Sequence, residues 1–394
     1  MRLAGRITGL TGGGSDGWDV YYKANAMDAT GHDITHLTIG EHDIGTDRSI
    51  LDAMHDATLA GITGYSAFNG IRGLRDRVAA RVAERTGVPT TPDNVLVVPG
   101  GQAGLFTAHH AACDEGDTAL FIDPYYATYP GTIRGVGARP HAIQARPERA
   151  FQPDPAEVAK AAPGARSLLI NTPNNPTGVN YTRETLEGLA DVCRAHNLWM
   201  ISDEVYDTQV WDGDHITPRS LDGMADRTLV IGSLSKSHAM TGSRIGWVVG
   251  PEEAIAHMSN LATHTTYGVA GFIQEAACFA LDQGPEFEAK IAEPFERRRD
   301  LVLRLLKGQD VVRPIPAAGA MYVMLDIRAT GLSGEEFALR LLEDHHVAVM
   351  PGESFGKAAA GHVRVALTVE DSRLEAALRQ LVKTAHSLVS PATV

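Results

Sequence analysis

A lysine set among hydroxyls is the first place where this chain could do chemistry. The run Ser233-Leu234-Ser235-Lys236-Ser237 is followed by Thr241-Gly242-Ser243-Arg244-Ile245-Gly246, with Arg244 eight residues after Lys236. Hydroxyl donors and a guanidinium suit a phosphate dianion, because charge-assisted hydrogen bonds to phosphate are strong and directional. A lysine beside them suits a Schiff base, provided its amine can be neutral. Gly100-Gly101-Gln102-Ala103-Gly104-Leu105 offers a second anion site, since amides at a helix N-terminus point outward toward a ligand. Each motif alone has an ordinary explanation. Gly-Gly is a frequent turn, and a Lys and an Arg in a serine-rich loop are most often solvated surface. Their weight comes from occurring together.

Such groups need a scaffold that brings distant segments to one edge. The 394 residues are 44% hydrophobic, and at roughly 150 residues per domain that length allows a large unit with a satellite. Short apolar runs alternate with amphipathic stretches, the pattern of an α/β protein with a mainly parallel sheet. Runs at 94–98, 118–122, 167–170, 198–201 and 229–231 predict buried strands. Lys236 then falls just past a strand's carboxyl end, where open α/β sheets place their ligands. Leu74, Val78 and Val82 share a helical face that Gly87 and Pro89 stop. Thr182 is a candidate N-cap for a helix carrying Leu186, Leu189, Ala190 and Cys193, and Ser333 with Glu336 forms a capping box. A charged helix is expected from about Asp282, and a final helix carries Leu374, Ala377, Leu378, Leu381, Val382 and Ala385. These elements predict a large central α/β domain and a smaller α+β domain at the C-terminal end. The order of the motifs given below then sets the bounds at 47–285 for the large domain and 1–46 with 286–394 for the smaller.

Lys and Arg total 35 against 48 Asp and Glu, a net charge of −13, which argues against nucleic acid and anionic lipid as partners. No apolar run approaches the ~20 residues needed to span a bilayer, and the N-terminal stretch lacks the apolar core of a secretory signal. Cys113, Cys193 and Cys278 are odd in number and widely spaced, so neither a disulfide framework nor a metal site is expected. The expectation is a soluble cytoplasmic protein.

The motif set resembles the class I/II, aspartate-aminotransferase-like family of pyridoxal-phosphate enzymes, over nearly the whole chain. The resemblance implies the fold-type-I architecture and pyridoxal 5′-phosphate as cofactor, anchored on Lys236. Asn171-Thr172-Pro173-Asn174-Asn175-Pro176-Thr177-Gly178 is similar to the family's N-x-P-x-N-P-T-G loop, so Asn175 would donate to the cofactor's phenolic oxygen. In Ser202-Asp203-Glu204-Val205-Tyr206, Asp203 would pair with the pyridine nitrogen and Tyr206 would join Asn175. A buried carboxylate there keeps the ring protonated and able to accept electrons. Gly101, Gln102, Ser233, Ser235 and Arg244 would hold the phosphate. Asp123-Pro124-Tyr125-Tyr126 would supply the stacked ring, Tyr126 being preferred to its neighbour. Gly64-Tyr65 through Gly70 and Leu74-Arg75 resembles the segment whose tyrosine reaches the adjacent subunit's phosphate, which implies a homodimer with Tyr65 crossing over. Arg364 in Gly361-His362-Val363-Arg364-Val365 would grip the substrate α-carboxylate, with Gly40 in a loop closing over it.

Two departures stand out. The family's G-E-P-D-F loop reads Gly40-Glu41-His42-Asp43-Ile44, and the usual Trp before the phosphate arginine is Ser243. His238 reads as a packing residue. The implied reaction is transamination between an L-amino acid and a 2-oxo acid, by a ping-pong mechanism. Within the family the segments 195–206 and 235–242, with Trp18-Asp19-Val20-Tyr21-Tyr22, are most similar to bacterial arginine–pyruvate transaminases. Aspartate with 2-oxoglutarate is the competing pair. A basic substrate would want an acidic group, for which Glu41 and Asp43 are candidates. A carbon–sulfur β-lyase on the same fold is the alternative reaction.

Overall fold

The computed structural model describes residues 1–15 and 17–389, so residue 16 and residues 390–394 of the expected smaller domain lie outside the described residues. Among the described residues, β1 (Thr35–Leu37) comes first, and seven strands then build the larger sheet. These are β2 (Val95–Val98), β3 (Thr118–Asp123), β4 (Arg139–Gln144), β5 (Ala165–Asn171), β6 (Trp199–Asp203), β7 (Thr228–Ser233) and β8 (Gly246–Val249). They lie in the order β2-β8-β7-β6-β5-β3-β4, with β8 running against the rest. The smaller sheet adds β9 (Arg313–Pro314), β10 (Tyr322–Asp326), β11 (Val347–Pro351) and β12 (His362–Ala366), in the order β1-β11-β12-β10-β9. There β1 joins β11 in parallel and the other pairs are antiparallel. The chain is thus α/β, with a mainly parallel large sheet and a smaller α+β layer, the fold-type-I arrangement.

The larger sheet is apolar on both faces because helices cover both. Leu168, Ile170 and Met200 pack on one side with Leu186, Leu189, Ala190 and Cys193 of the helix Arg183–His196. Leu169, Ile201 and Ile231 pack on the other with Leu105, Ala108 and Ala112 of the helix Gly101–Ala112. That alternation is the two-residue period of a strand. The helix signals also act as expected. Thr182 accepts from the Thr185 amide, Ser333 and Glu336 close a reciprocal capping box, and Gly87 ends the helix Arg72–Thr86 in the left-handed region. The 23-residue helix Gly284–Leu306 begins where the expected domains meet. It sends Phe295, Leu301, Val302 and Leu306 into the core of the smaller layer.

One difference from the sequence expectation matters for function. β5, β6 and β7 run past their last apolar residue to Asn171, Asp203 and Ser233, because the ladder continues through them and pairs Asn171 with Asp203. Polar residues are thereby held by sheet hydrogen bonds at the carboxyl edge. Among the described residues no helix is long and apolar enough to cross a membrane.

Candidate active site

A cavity of about 450 Å3 opens at that edge. Gly40, Gly101, Gln102, Tyr126, Asn175, Asp203, Tyr206, Ser233, Ser235, Lys236, Arg244 and Arg364 all line it. Segments spread from position 40 to position 364 therefore meet. Tyr65 is the exception: it is 90% exposed and packs edge-on against Tyr267, centroids 5.1 Å apart, on the outer surface.

Lys236 sits on a one-turn helix, Leu234–Ser237, directly after β7. Ser233 caps that turn, accepting from the Ser235 amide at 3.1 Å, while its hydroxyl reaches the Ile245 carbonyl and Ser235 Oγ, both at 2.9 Å. Its hydroxyl is thus occupied in fixing the lysine's turn, and Ser235 keeps a hydroxyl proton for a ligand. The lysine Nζ donates to the Gly40 carbonyl. Burial pulls its pKa down to about 8; Glu41 opposes the shift, and Arg364 and Arg244 add to it. A near-neutral pKa lets the amine act as nucleophile and base.

Asp203 is buried at the end of β6 and accepts from the Tyr129 hydroxyl at 2.7 Å. Burial pushes its carboxyl up to about 6, partly offset by that hydrogen bond. Asn171, its ladder neighbour, donates to the Asp203 carbonyl at 2.9 Å and accepts from the Asn175 amide at 2.7 Å, so one side chain positions both. Tyr206 and Tyr322 bring their hydroxyls to 3.1 Å, and Asn175 Nδ2 lies 3.4 Å from the Tyr322 hydroxyl. Tyr126 lines the cavity, and burial pushes its phenol up to about 12, so it stays neutral. Tyr125 instead packs edge-on to Phe121 at 5.0 Å, away from the cavity.

Arg364, 1% exposed on β12, is clasped between the rings of Tyr322 and Phe355, each 4.4 Å from its guanidinium carbon. It donates to Asn175 Oδ1 at 2.8 Å and to the Thr38 carbonyl, while its buried Nε has no partner among the described residues. Gly40 has no room for a side chain: a Cβ there would lie 1.7 Å from the Tyr322 hydroxyl. Gly100, with φ 85°, serves the anion site, since a Cβ on it would come within 2.3 Å of the Arg244 guanidinium. Glycine lets that guanidinium lie over the N-terminus of the helix Gly101–Ala112. The Gln102 side chain is taken up by Thr132 at 2.7 Å and Thr128 at 2.9 Å, leaving its backbone amide for a ligand.

These residues fit pyridoxal phosphate. Asp203 is a buried carboxylate whose hydrogen-bond donors among the described residues, the Tyr129 hydroxyl and the Val205 amide, are neutral, which suits it to a protonated ring nitrogen. Helix amides, a serine hydroxyl and a guanidinium over a glycine cradle suit a phosphate. The family model for aminotransferase class I and II matches residues 32–381. The chain belongs to this family. It is a transaminase, and its cofactor is pyridoxal phosphate. This aminotransferase is 43% identical over 394 residues, all of both chains, to the arginine–pyruvate transaminase of Pseudomonas aeruginosa. It is 35% identical to the aspartate/prephenate aminotransferase of Thermus thermophilus, covering 92% of this chain and 93% of that one. The solved structure of the Thermus thermophilus aspartate aminotransferase with maleate matches with a TM-score of 0.91 at 33% identity, covering 98% of this chain and 100% of that one.

Several aminotransferase groups escaped the sequence reading. Tyr129 stands three residues after Tyr126 in a short helix, and that spacing was its one signal. Tyr322 lies in a run that reads as plain core strand. Asp43, a candidate for a basic substrate, does not line the cavity. Both its oxygens are held by Arg298, at 3.0 and 2.6 Å, and that guanidinium overrides burial to keep the carboxyl below its usual range. His42 is buried beside Lys236, and burial pulls it down to about 4, so it is neutral. His238 is a packing residue: it stacks on Phe287 and bonds Ser237 and the Ala280 carbonyl.

Proposed function

We propose that this transaminase takes its amino group from L-arginine and passes it to pyruvate. The observation that carries the reading is the assignment of cations. Lys236, Arg244 and Arg364 are the Lys and Arg side chains lining the cavity. Cofactor, phosphate and α-carboxylate would occupy all three, so among the described residues this chain's cavity offers no further Lys or Arg for the distal carboxylate of aspartate. The full-length similarity to the Pseudomonas enzyme supports the same choice. Aspartate with 2-oxoglutarate is the second reading, favoured by the Thermus relatives.

Each residue has a role in this proposal. Lys236 anchors the cofactor, and its released amine, about half of it neutral at pH 8, takes the proton from the substrate Cα. Asp203 holds the ring nitrogen's proton, Asn175 and Tyr206 meet the phenolic oxygen, and Tyr126 covers the ring. Gly101, Gln102, Ser235 and Arg244 bind the phosphate, with Ser233 fixing the turn. Arg364 orients the substrate by its carboxylate, beneath the Gly40 loop. Bound pyridoxal phosphate supplies a conjugated ring that spreads the charge left when the Cα proton departs.

We further propose that 47–285 and 1–46 with 286–394 act as two domains. The working form would be a cytoplasmic homodimer whose Tyr65 completes the neighbouring subunit's phosphate site; the buried free cysteines are consistent with a reducing compartment. The test of function is a panel of half-reactions, following the cofactor's absorbance as each amino acid converts it. Arginine should convert it fastest, and pyruvate should restore it. Faster conversion by aspartate would overturn the arginine assignment. Pyruvate and ammonia from cystathionine at comparable rates would point to the β-lyase.

A further inference from the structure

Trp18, Tyr21 and Tyr22 line the active-site cavity, yet the cofactor set does not use them. They stand at the start of the helix Asp19–Ala29, which buried Val20 and Ala24 anchor to the core. Trp18 meets Tyr21 edge-on with ring centroids 6.3 Å apart, and Tyr21 meets Tyr22 at 5.7 Å. Trp18 and Tyr21 are half-buried, whereas Tyr22 is 52% exposed, so the first two form the wall.

Behind Trp18 lies a second cavity, of about 670 Å3, between the N-terminal segment and the helix Tyr129–Gly135. Trp18 lines both cavities. Among the described residues, the charged lining of the second is Asp19, Glu335 and Glu353 against Arg134. Arg134 donates to the Leu10 carbonyl at 2.9 Å. Glu353 Oε1 accepts two backbone amides, each at 3.0 Å, while its buried Oε2 has no partner among the described residues. The face of the wall away from the cofactor is therefore acidic.

Aromatic faces attract cations, tryptophan most strongly, and the attraction grows where water is excluded. The molecule already uses this contact for Arg364, held between two rings. Glu41 also lines the cavity, but the family's loop carries a glutamate there, so it does not set this site apart. We infer that the Trp18–Tyr21 wall receives the guanidinium end of the substrate side chain on its ring faces, with the acidic cavity behind Trp18 supplying a favourable field. This rests on the arginine reading and names the residues that would read the side chain.

The experiment compares arginine with citrulline, its neutral near-isostere, in half-reactions of the pyridoxal-phosphate-loaded enzyme. In the natural protein arginine should exceed citrulline in kcat/KM. Trp18→Leu keeps an apolar wall and removes the ring, and should lower the arginine-to-citrulline ratio about five- to thirtyfold, mostly through KM. Trp18→Phe should restore part of it. A loss common to both substrates, from misfolding or poor cofactor loading, cancels in the ratio. A ratio unchanged in both Trp18→Leu and Tyr21→Leu, with arginine still converted, overturns the inference and leaves the arginine assignment standing. No arginine conversion by the natural protein overturns both.

Discussion

Burial lifts the Asp203 carboxyl from 3.8 to about 6, although Tyr129 donates to it. The folded form therefore binds that proton more tightly than the unfolded chain does. Stability is lost as pH rises from about 4 to 6, and the cost above that window is about 3 kcal/mol. Asparagine carries no charge, and its amide oxygen can still accept from Tyr129. In cofactor-free protein Asp203→Asn should therefore raise stability at pH 8 by up to ~3 kcal/mol, with the gain vanishing near pH 4. The same change should lower turnover about 10²–10³-fold by removing the charge opposite the ring nitrogen. Urea unfolding at the two pH values, beside turnover, checks both halves; equal stability at pH 8 would contradict the burial argument. Asp203 was legible because it sits in a contiguous stretch with Glu204 and Tyr206. Tyr129, which tunes it, reaches it across the fold from a segment whose local pattern says only helix.

At the scale of elements, the segment 38–46 ties the two sheets together. Its Thr38 carbonyl accepts from Arg364, its Gly40 carbonyl from Lys236, and its Thr46 hydroxyl donates to the Ala239 carbonyl at 2.6 Å. Asp43 locks it to the long helix Gly284–Leu306 through Arg298, whose side chain is 5% exposed. Asp43→Asn leaves that buried guanidinium with Asp371, 3.1 Å away, as its remaining carboxylate. The loss should be about 2 kcal/mol, less than for a wholly stranded charge. It should appear as a lower urea midpoint with the arginine-to-citrulline ratio unchanged; a changed ratio would return Asp43 to the substrate. Sequence placed Asp43 in the right loop but not its direction, because a loop side chain points where its partner lies, and Arg298 is 255 residues away. The strands, caps and stops were legible because local pattern determines them. Which helix seals the site was not, and Trp18 and Tyr21 show why: the fold, rather than the run around them, brings them to the cavity.

At the scale of the whole molecule, one chain accounts for every expected site residue except Tyr65. Ile62, Tyr65 and Tyr267 are all exposed, and the two tyrosine rings stack edge-on where a lone chain would leave them in water. A second copy seated there would bury them and bring each Tyr65 hydroxyl to the other's phosphate, a charge-assisted bond worth roughly 1.5–3 kcal/mol. That arrangement makes a prediction about mixtures. Lys236→Ala removes the anchor from its own site, while Tyr65→Ala would damage the neighbour's. In a mixed dimer of the two variants, the site with the native lysine receives the native tyrosine, and the other site has neither. Random pairing makes half the dimers mixed, each with one intact site of two. Co-refolding equal amounts should therefore restore about a quarter of the natural activity at a cofactor concentration that fills the natural site but not one lacking the tyrosine, where each variant alone is weak. If Tyr65 served only its own chain, mixing would give no more than the average of the two variants, and the shared-site proposal would fail.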